Sequence, residues 1–299
     1  MLEDNWKIYY NNIKIRCQKL IEFGIWKGID LNMFTAWINN FQTDREKYFS
    51  ACILDALIYR SKDQVISMLY DLFTKDLHNL FRLKSNIYTK YRNPLFLLKN
   101  KWNDPEFRVI SAVKKSDPPS KSGYLMSHYL VHHLSACERW FITPFALEDE
   151  IQKGVKHFIL LDDVICTGEQ MDETIMEANI LQYSEYATFY IAVCTAHQVG
   201  IERLQKKYPN ISIAYTELLT DDNSFFNFLD IKNTDYENIN DAKNKYDTFL
   251  KKKGIKNKDT LGFGSLGLVY GFEHNTPNGS LPILHYRNEN FHPLLNKRM

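Results

Sequence analysis

Cysteine is scarce, and its placement argues against cross-linking. The five cysteines, Cys17, Cys52, Cys137, Cys166 and Cys194, are odd in number, far apart and never spaced as C-x-x-C. This predicts reduced thiols in a cytoplasmic protein. An excess of either charge is also missing. Lys+Arg is 37 and Asp+Glu is 36, for a net charge of +1. Such a balance gives no bulk attraction to nucleic acid or to a membrane surface, though it is compatible with a local basic patch. No apolar run is long enough to span a bilayer. The opening residues, Met1 to Trp6, lack the charged-then-apolar form of a signal peptide. What remains suits a globular protein of one large or two small domains. The chain has 299 residues, 44% of them hydrophobic, and 14% aromatic content to fill a core.

Residues 1–105 read as a helical N-terminal region. Trp6, Tyr9, Ile13, Cys17, Leu20 and Ile21 share one helical face. Asp30 can cap a second helix. Thr43-x-x-Glu46 and Ser61-x-x-Gln64 match the capping box ahead of further periodic runs. Asn93-Pro94 and Asp104-Pro105 mark boundaries before the next region. Nothing in this stretch carries chemistry on its face, and a structural helical lobe is the simpler account.

Strands alternating with helices over residues 106–216 predict an α/β fold with a doubly wound, mostly parallel sheet. Residues 107–113 read as a strand, leading into a loop, 114–123, that carries Lys114, Lys115 and Lys121 among prolines and a glycine. A helix is expected over about 124–135. His128, His132 and His133 lie on it, but no H-E-x-x-H or nearby ligand spacing accompanies them, so surface or core-edge histidines are favoured over zinc. Residues 139–142 read as a short strand and 147–153 as a helix. After the central strand, a helix is expected over 172–182, a buried strand over 187–196, a helix over 199–207 and a strand over 211–215.

The central stretch is Phe158 to Gln170. Four apolar residues run into Asp162 and Asp163, then Val164 and Ile165, then a Cys166-Thr167-Gly168 turn before a helical pattern at Glu169. A buried parallel strand would deliver the carboxylates to its carboxyl end, where open α/β sheets bind ligands. The following loop would expose backbone N–H groups at a helix N-terminus, an anion site. A diol held beside a phosphate describes a ribose 5-phosphate. The plain alternative is a strand-to-helix turn with a solvated Asp pair.

These residues resemble the signature of class I phosphoribosyltransferases, which bind phosphoribosyl diphosphate (PRPP). The resemblance implies that Asp162 and Asp163 hold the ribose hydroxyls. It implies that Ile165, Cys166, Thr167, Gly168, Glu169 and Gln170 wrap the 5′-phosphate, and that Lys121, Ser122 and Gly123 hold the diphosphate. Mg²⁺ is the implied cofactor, bridging ribose and diphosphate near Asp162 and Asp163. Two residues depart from the pattern. Gln170 stands where most members place Thr or Ser on the phosphate. Cys166 stands where some purine enzymes carry an Asp that acts on the base.

Residues 217–299 form a less regular C-terminal extension, with a helix expected over 241–253. Gly262-Phe263-Gly264-Ser265-Leu266-Gly267 spells G-x-G-x-x-G, but the following residues 268–272 read as a strand rather than a helix, which excludes a dinucleotide fingerprint. The loop 273–283 is rich in turn formers and in groups that bond planar bases or sugars. It makes His274, Asn275 and Asn278 candidates for covering an acceptor. With His292-Pro293-Leu294, it resembles phosphoribosyltransferase-like effectors of bacterial antiphage conflict loci, including some retrons. That resemblance implies a toxin that cleaves or transfers at the anomeric carbon. Its implied partners are a reverse transcriptase with its nucleic acid, or a DNA-binding protein, and an oligomer is compatible. Two rival expectations use the same fold: a PRPP or nucleotide sensor or interaction module without chemistry, and an N-glycosidic toxin that breaks nucleotides or a cofactor.

Overall fold

The computed structural model describes residues 5–84, 94–99, 107–118, 121–231 and 239–297. Asn93, Asp104-Pro105 and Pro119-Ser120, which figure in the sequence expectations, lie outside them. The chain divides into two compact units: Val65–Leu219, and Met1–Gln64 together with Thr220–Met299. The expected helical region 1–105 is therefore shared between the two. The strands, in chain order, are β1 (Ile58–Arg60), β2 (Phe107–Ser111), β3 (Phe141–Ile142), β4 (His157–Ile165), β5 (Thr188–His197), β6 (Ser212–Leu219) and β7 (Tyr270–Phe272).

In Val65–Leu219, β2 to β6 form one sheet in the order β3-β2-β4-β5-β6, with every adjacent pair parallel. The mixed α/β, parallel-sheet class expected from the sequence is what forms. β4 and β5 are buried along nearly their whole length, which is why they read as unbroken apolar runs. On one face, Phe158, Leu160, Ile191 and Val193 pack against Met171, Ile175, Ile201 and Leu204 of the helices Glu169–Glu177 and Gln198–Lys207. Elsewhere along β2 and β5, Phe81 of helix Leu77–Lys84 sets its ring 5.5 Å from Phe107 and 4.9 Å from Tyr190. Part of the N-terminal helical stretch thus joins this core.

Two expected elements shift. The helix after the central strand is Glu169–Glu177 rather than 172–182, because Asn179 adopts a left-handed φ of 54° and the chain resumes as a 3-10 turn, Ile180–Tyr183. Residues 139–142 are strand only at Phe141–Ile142. Glu138–Trp140 is a 3-10 turn closed by Trp140 N–H donating to the Cys137 carbonyl, with Trp140 buried.

The other unit is assembled from both ends of the described chain. β1 and β7 pair in parallel, Ile58 against Tyr270 and Arg60 against Phe272. Phe41 stacks on Phe249 at 5.1 Å and meets Trp37 edge-on at 4.8 Å. The Trp37 indole N–H, buried, donates to the Ile283 carbonyl at 2.9 Å. Asp30 caps Leu31–Ile38, and Thr43 with Glu46 forms the reciprocal capping box on Asp44–Ala56, as the sequence predicts. The glycine-rich stretch is a 3-10 turn, Phe263–Ser265. A Cβ on Gly262, at φ +77°, would lie 2.4 Å from the Gly279 carbonyl oxygen. These glycines serve chain crossing, consistent with rejecting the dinucleotide match.

Candidate functional site

β4 carries Asp162 and Asp163 just short of its end, with 2% and 3% of their surfaces exposed. Their neighbours arrive from two strand–loop–helix units. Helix Ser122–Leu134 starts immediately beyond the Lys121 N-cap. Its first turn presses onto the end of β2. A Cβ on Gly123 would sit 2.9 Å from the Ala112 backbone nitrogen, while the Ser111 and Ser127 hydroxyls meet at 2.7 Å. This close approach delivers the Ser122 hydroxyl to Asp162 Oδ1 at 2.7 Å. The Asp163 N–H donates to the same oxygen at 2.9 Å. From the opposite loop, Gln170 Nε2 donates to Asp162 Oδ2 at 3.2 Å. Ser122, Asp162 and Gln170, expected at one site from separate stretches of sequence, are thus brought into contact.

The electrostatics follow from burial. Desolvation, reinforced by the charge of Asp163 and by the hydrogen bond between the two carboxyl groups, holds the Asp162 pKa well above the usual carboxylate range, against the Ser122 hydroxyl and the Asp163 N–H, which lower it. Cys194 of β5 is fully buried. Burial, with the charges of Asp163, Asp162 and Glu217, pushes its thiol well above its ordinary value.

The loop between β4 and helix Glu169–Glu177 is set by glycine. Gly168 takes φ +80° at the N-cap, a conformation that suits glycine. The loop rests on helix Gln198–Lys207 at Gly200, where a Cβ would lie 2.4 Å from the Cys166 carbonyl oxygen and 3.0 Å from the Gly168 nitrogen. Thr167 Oγ1 accepts a long bond from the Glu169 N–H at 3.5 Å, and Ile165 is buried. Arg203 pairs with Glu169 at 2.7 Å on the exposed side of the helix N-terminus. Behind the loop, Lys207 Nζ donates to Asp172 at 2.7 Å, and Tyr208 donates a very short bond to the same carboxylate. Burial works against the Asp172 charge, but Lys207 and Tyr208 hold its pKa below the usual range.

The lysine loop is pinned to the same helix. Lys114 pairs with Glu173 at 2.7 Å and the Lys115 N–H donates to Glu177 at 3.0 Å. Lys121 reaches Asp117 at 4.0 Å. His274, Asn275 and Asn278 belong to the unit containing β7. There the His274 ring stacks on Phe272 at 4.9 Å, the Asn275 carbonyl accepts from the Phe272 N–H, and the Asn278 carbonyl accepts from the Phe263 N–H.

Some residues of this neighbourhood were not anticipated. Thr195 of β5 donates to Glu217 of β6 at 3.4 Å, and His197 caps helix Gln198–Lys207 through Nδ1. The available signal was polarity at the ends of two apolar runs: Thr195-Ala196-His197 and Thr216-Glu217.

Among the described residues, no group of three or more His, Cys, Asp or Glu side chains could hold a metal ion. The adjacent carboxylates Asp162 and Asp163 do fit a hard cation that takes its other ligands from phosphate, hydroxyl and water oxygens, as Mg²⁺ does.

A family model, PRTase-CE, matches residues 34–297, most of the chain. The chain belongs to the PRTase-CE family. As a family member it is a phosphoribosyltransferase-like protein. Solved structures similar to it include a Helicobacter pylori xanthine-guanine-hypoxanthine phosphoribosyltransferase. That match has 13% identity and covers 54% of this chain and 83% of that one, with a TM-score of 0.29. Another is an Aeropyrum pernix orotate phosphoribosyltransferase, at 13% identity over 56% of this chain and 98% of that one, with a TM-score of 0.25. No curated protein matches the chain. No helix among the described residues is long and apolar enough to cross a membrane.

Proposed function

We propose that this PRTase-CE member binds PRPP or a related ribose phosphate between the β2 and β4 loops and breaks the bond from the anomeric carbon to the diphosphate oxygen. The observation that carries this is the Ser122–Asp162 hydrogen bond at 2.7 Å, which joins the end of the lysine loop to the acidic pair. Asp162 and Asp163 hold the ribose hydroxyls, and their charge favours the cationic sugar that develops as the bond breaks. Lys121, with the backbone of Ser122 and Gly123, receives the departing diphosphate. The backbone of residues 165–170, with Thr167, holds the 5′-phosphate at the helix N-terminus. Bound Mg²⁺ would neutralise diphosphate charge beside Asp162 and Asp163. The electron pair of the broken bond leaves with the diphosphate, and a nucleobase, another nucleophile or water takes the anomeric carbon.

The resemblance of the 273–283 loop to antiphage effectors supports a cytoplasmic toxin restrained by a partner, such as a reverse transcriptase with its nucleic acid or a DNA-binding protein. A second account is a sensor that binds the ligand without turning it over. The saturation of Asp162 by Ser122, Gln170 and the Asp163 N–H supports it.

Diphosphate release from PRPP with Mg²⁺ and pooled nucleobases and nucleotides tests the enzyme. Turnover lost in Asp162→Asn and Asp163→Asn supports it, and equal turnover in those variants sinks it. Tight PRPP binding with no product favours the sensor. Growth arrest on expression that survives both substitutions overturns toxicity through this site.

A further inference from the structure

Asp162 cannot meet a ligand as it stands, because only 2% of its surface is exposed. Its two oxygens are occupied differently. Oδ1 takes the Ser122 hydroxyl at 2.7 Å and the Asp163 N–H at 2.9 Å. Of these, the N–H is fixed by the strand, and the hydroxyl belongs to the helix turn wedged at Gly123 on Ala112. Oδ2 takes Gln170 Nε2 at 3.2 Å, and the Asp163 side chain also bonds this carboxylate. The Gln170 contact is the weakest of the three in length, and it comes from a half-buried, unbranched side chain with several rotatable bonds. The Gln170 backbone is fixed, since its carbonyl accepts from Thr174 Oγ1 at 3.0 Å within the helix. The side chain can therefore leave Asp162 while the loop beside it stays in place.

We infer that Gln170 is a selectivity latch on the acidic pair. It supplies the hydrogen bond to Asp162 Oδ2 that a ribose hydroxyl would otherwise make, and a ligand that brings such a hydroxyl replaces it without loss. A phosphate lacking the diol gains the loop but leaves the latch closed. Competing with the amide reduces affinity for the correct ligand and sets a threshold concentration for occupancy. This rests on the ribose-phosphate assignment made above.

Titration calorimetry on the full chain tests the latch, with ribose 5-phosphate and inorganic phosphate as probes and Gln170→Ala and Gln170→Met as variants. Met keeps the length without the donor and serves if Ala disturbs the helix. The expected result is a gain in ribose 5-phosphate affinity of about five- to ten-fold, the worth of one hydrogen bond, with phosphate affinity unchanged. Weaker ribose 5-phosphate binding in the variants would make Gln170 a ligand contact and overturn the latch. Equal gains for both probes would assign the effect to the loop and overturn it as well. Binding by the wild type with no gain in either variant sinks the latch alone. No binding by any of the three proteins sinks the ribose-phosphate assignment with it.

Discussion

In Val65–Leu219 a pair of carboxylates is buried near the carboxyl end of the central strand, where Asp162 takes the Ser122 hydroxyl and the Gln170 amide beside a second acid. In the unit built from Met1–Gln64 and Thr220–Met299, buried polar side chains such as Trp37 and Ser280 donate to backbone carbonyls, and the core is largely aromatic. The first arrangement holds charge where charge is costly. The second keeps its buried titratable groups neutral, since burial pushes the Tyr246 pKa well up and the His285 pKa down to about 3. A comparable contrast exists inside the sheet-bearing unit. Asp172 is also buried, but Lys207 and Tyr208 satisfy it and lower its pKa, while burial and Asp163 raise that of Asp162. Groups that stabilise have cations beside them, and the group left without one faces the proposed ligand.

The largest expected effect breaks this contrast at its centre. Asp162→Asn should lower ribose 5-phosphate affinity by about 100-fold or more, read by calorimetry, because a charge-assisted bond to the diol is lost. The same variant should melt higher than the wild type at about pH 7 and lose that advantage at about pH 4. The sign follows from the raised pKa. The stabilising protonated form is fully present below the ordinary carboxylate value and is lost as pH rises through the folded value. A melting point that falls at neutral pH would remove the claim that this carboxylate is held at a cost.

In the aromatic unit, Trp37→Ala should cost about 3–5 kcal/mol of stability by chemical denaturation, from the cavity it leaves and the Ile283 carbonyl it orphans. Hydrogen exchange should quicken in residues 31–56 and 281–295, and unchanged exchange there would show that the ring does not anchor this core. A smaller effect is expected at Asp172→Asn, about 1–3 kcal/mol, since Lys207 and Tyr208 lose a charged partner. Its sign is opposite to that of Asp162→Asn. The lowered Asp172 pKa stabilises above the ordinary carboxylate value, and that benefit fades as pH falls through the folded value, so wild type and variant should converge in acid. The smallest effect is expected at Lys252→Ala. Its 2.7 Å bridge to Glu46 has a half-exposed lysine, so the loss should stay under about 1 kcal/mol and shrink with added salt.

Legibility in the sequence tracked how locally each feature is encoded. The capping residues Asp30, Thr43 and Glu46 act on backbone within one turn and were placed correctly. β4 and β5 are buried on both faces, so their composition alone revealed them. β1 went unseen because three residues of strand make no pattern, and its partner β7 lies about 210 residues away in the chain. Asn179 ended a helix early through a left-handed conformation that its local periodicity does not reveal. Glu217 and His197 were passed over because each looks like an ordinary polar residue at a strand end until β4, β5 and β6 are laid side by side.

By itself, the sequence determined that Asp162 and Asp163 end an apolar strand before a Thr167-Gly168 turn, since covalent order fixes which groups follow a buried run and which conformations glycine opens. It could not decide what those carboxylates touch. That depended on Gly123 admitting one helix against β2 and Gly200 admitting another beneath Cys166, so that Ser122 and Gln170 close on Asp162 from different parts of the chain. Hydrogen bonding and desolvation depend on distance in space, and parallel pairing brings together residues that sequence separation keeps apart.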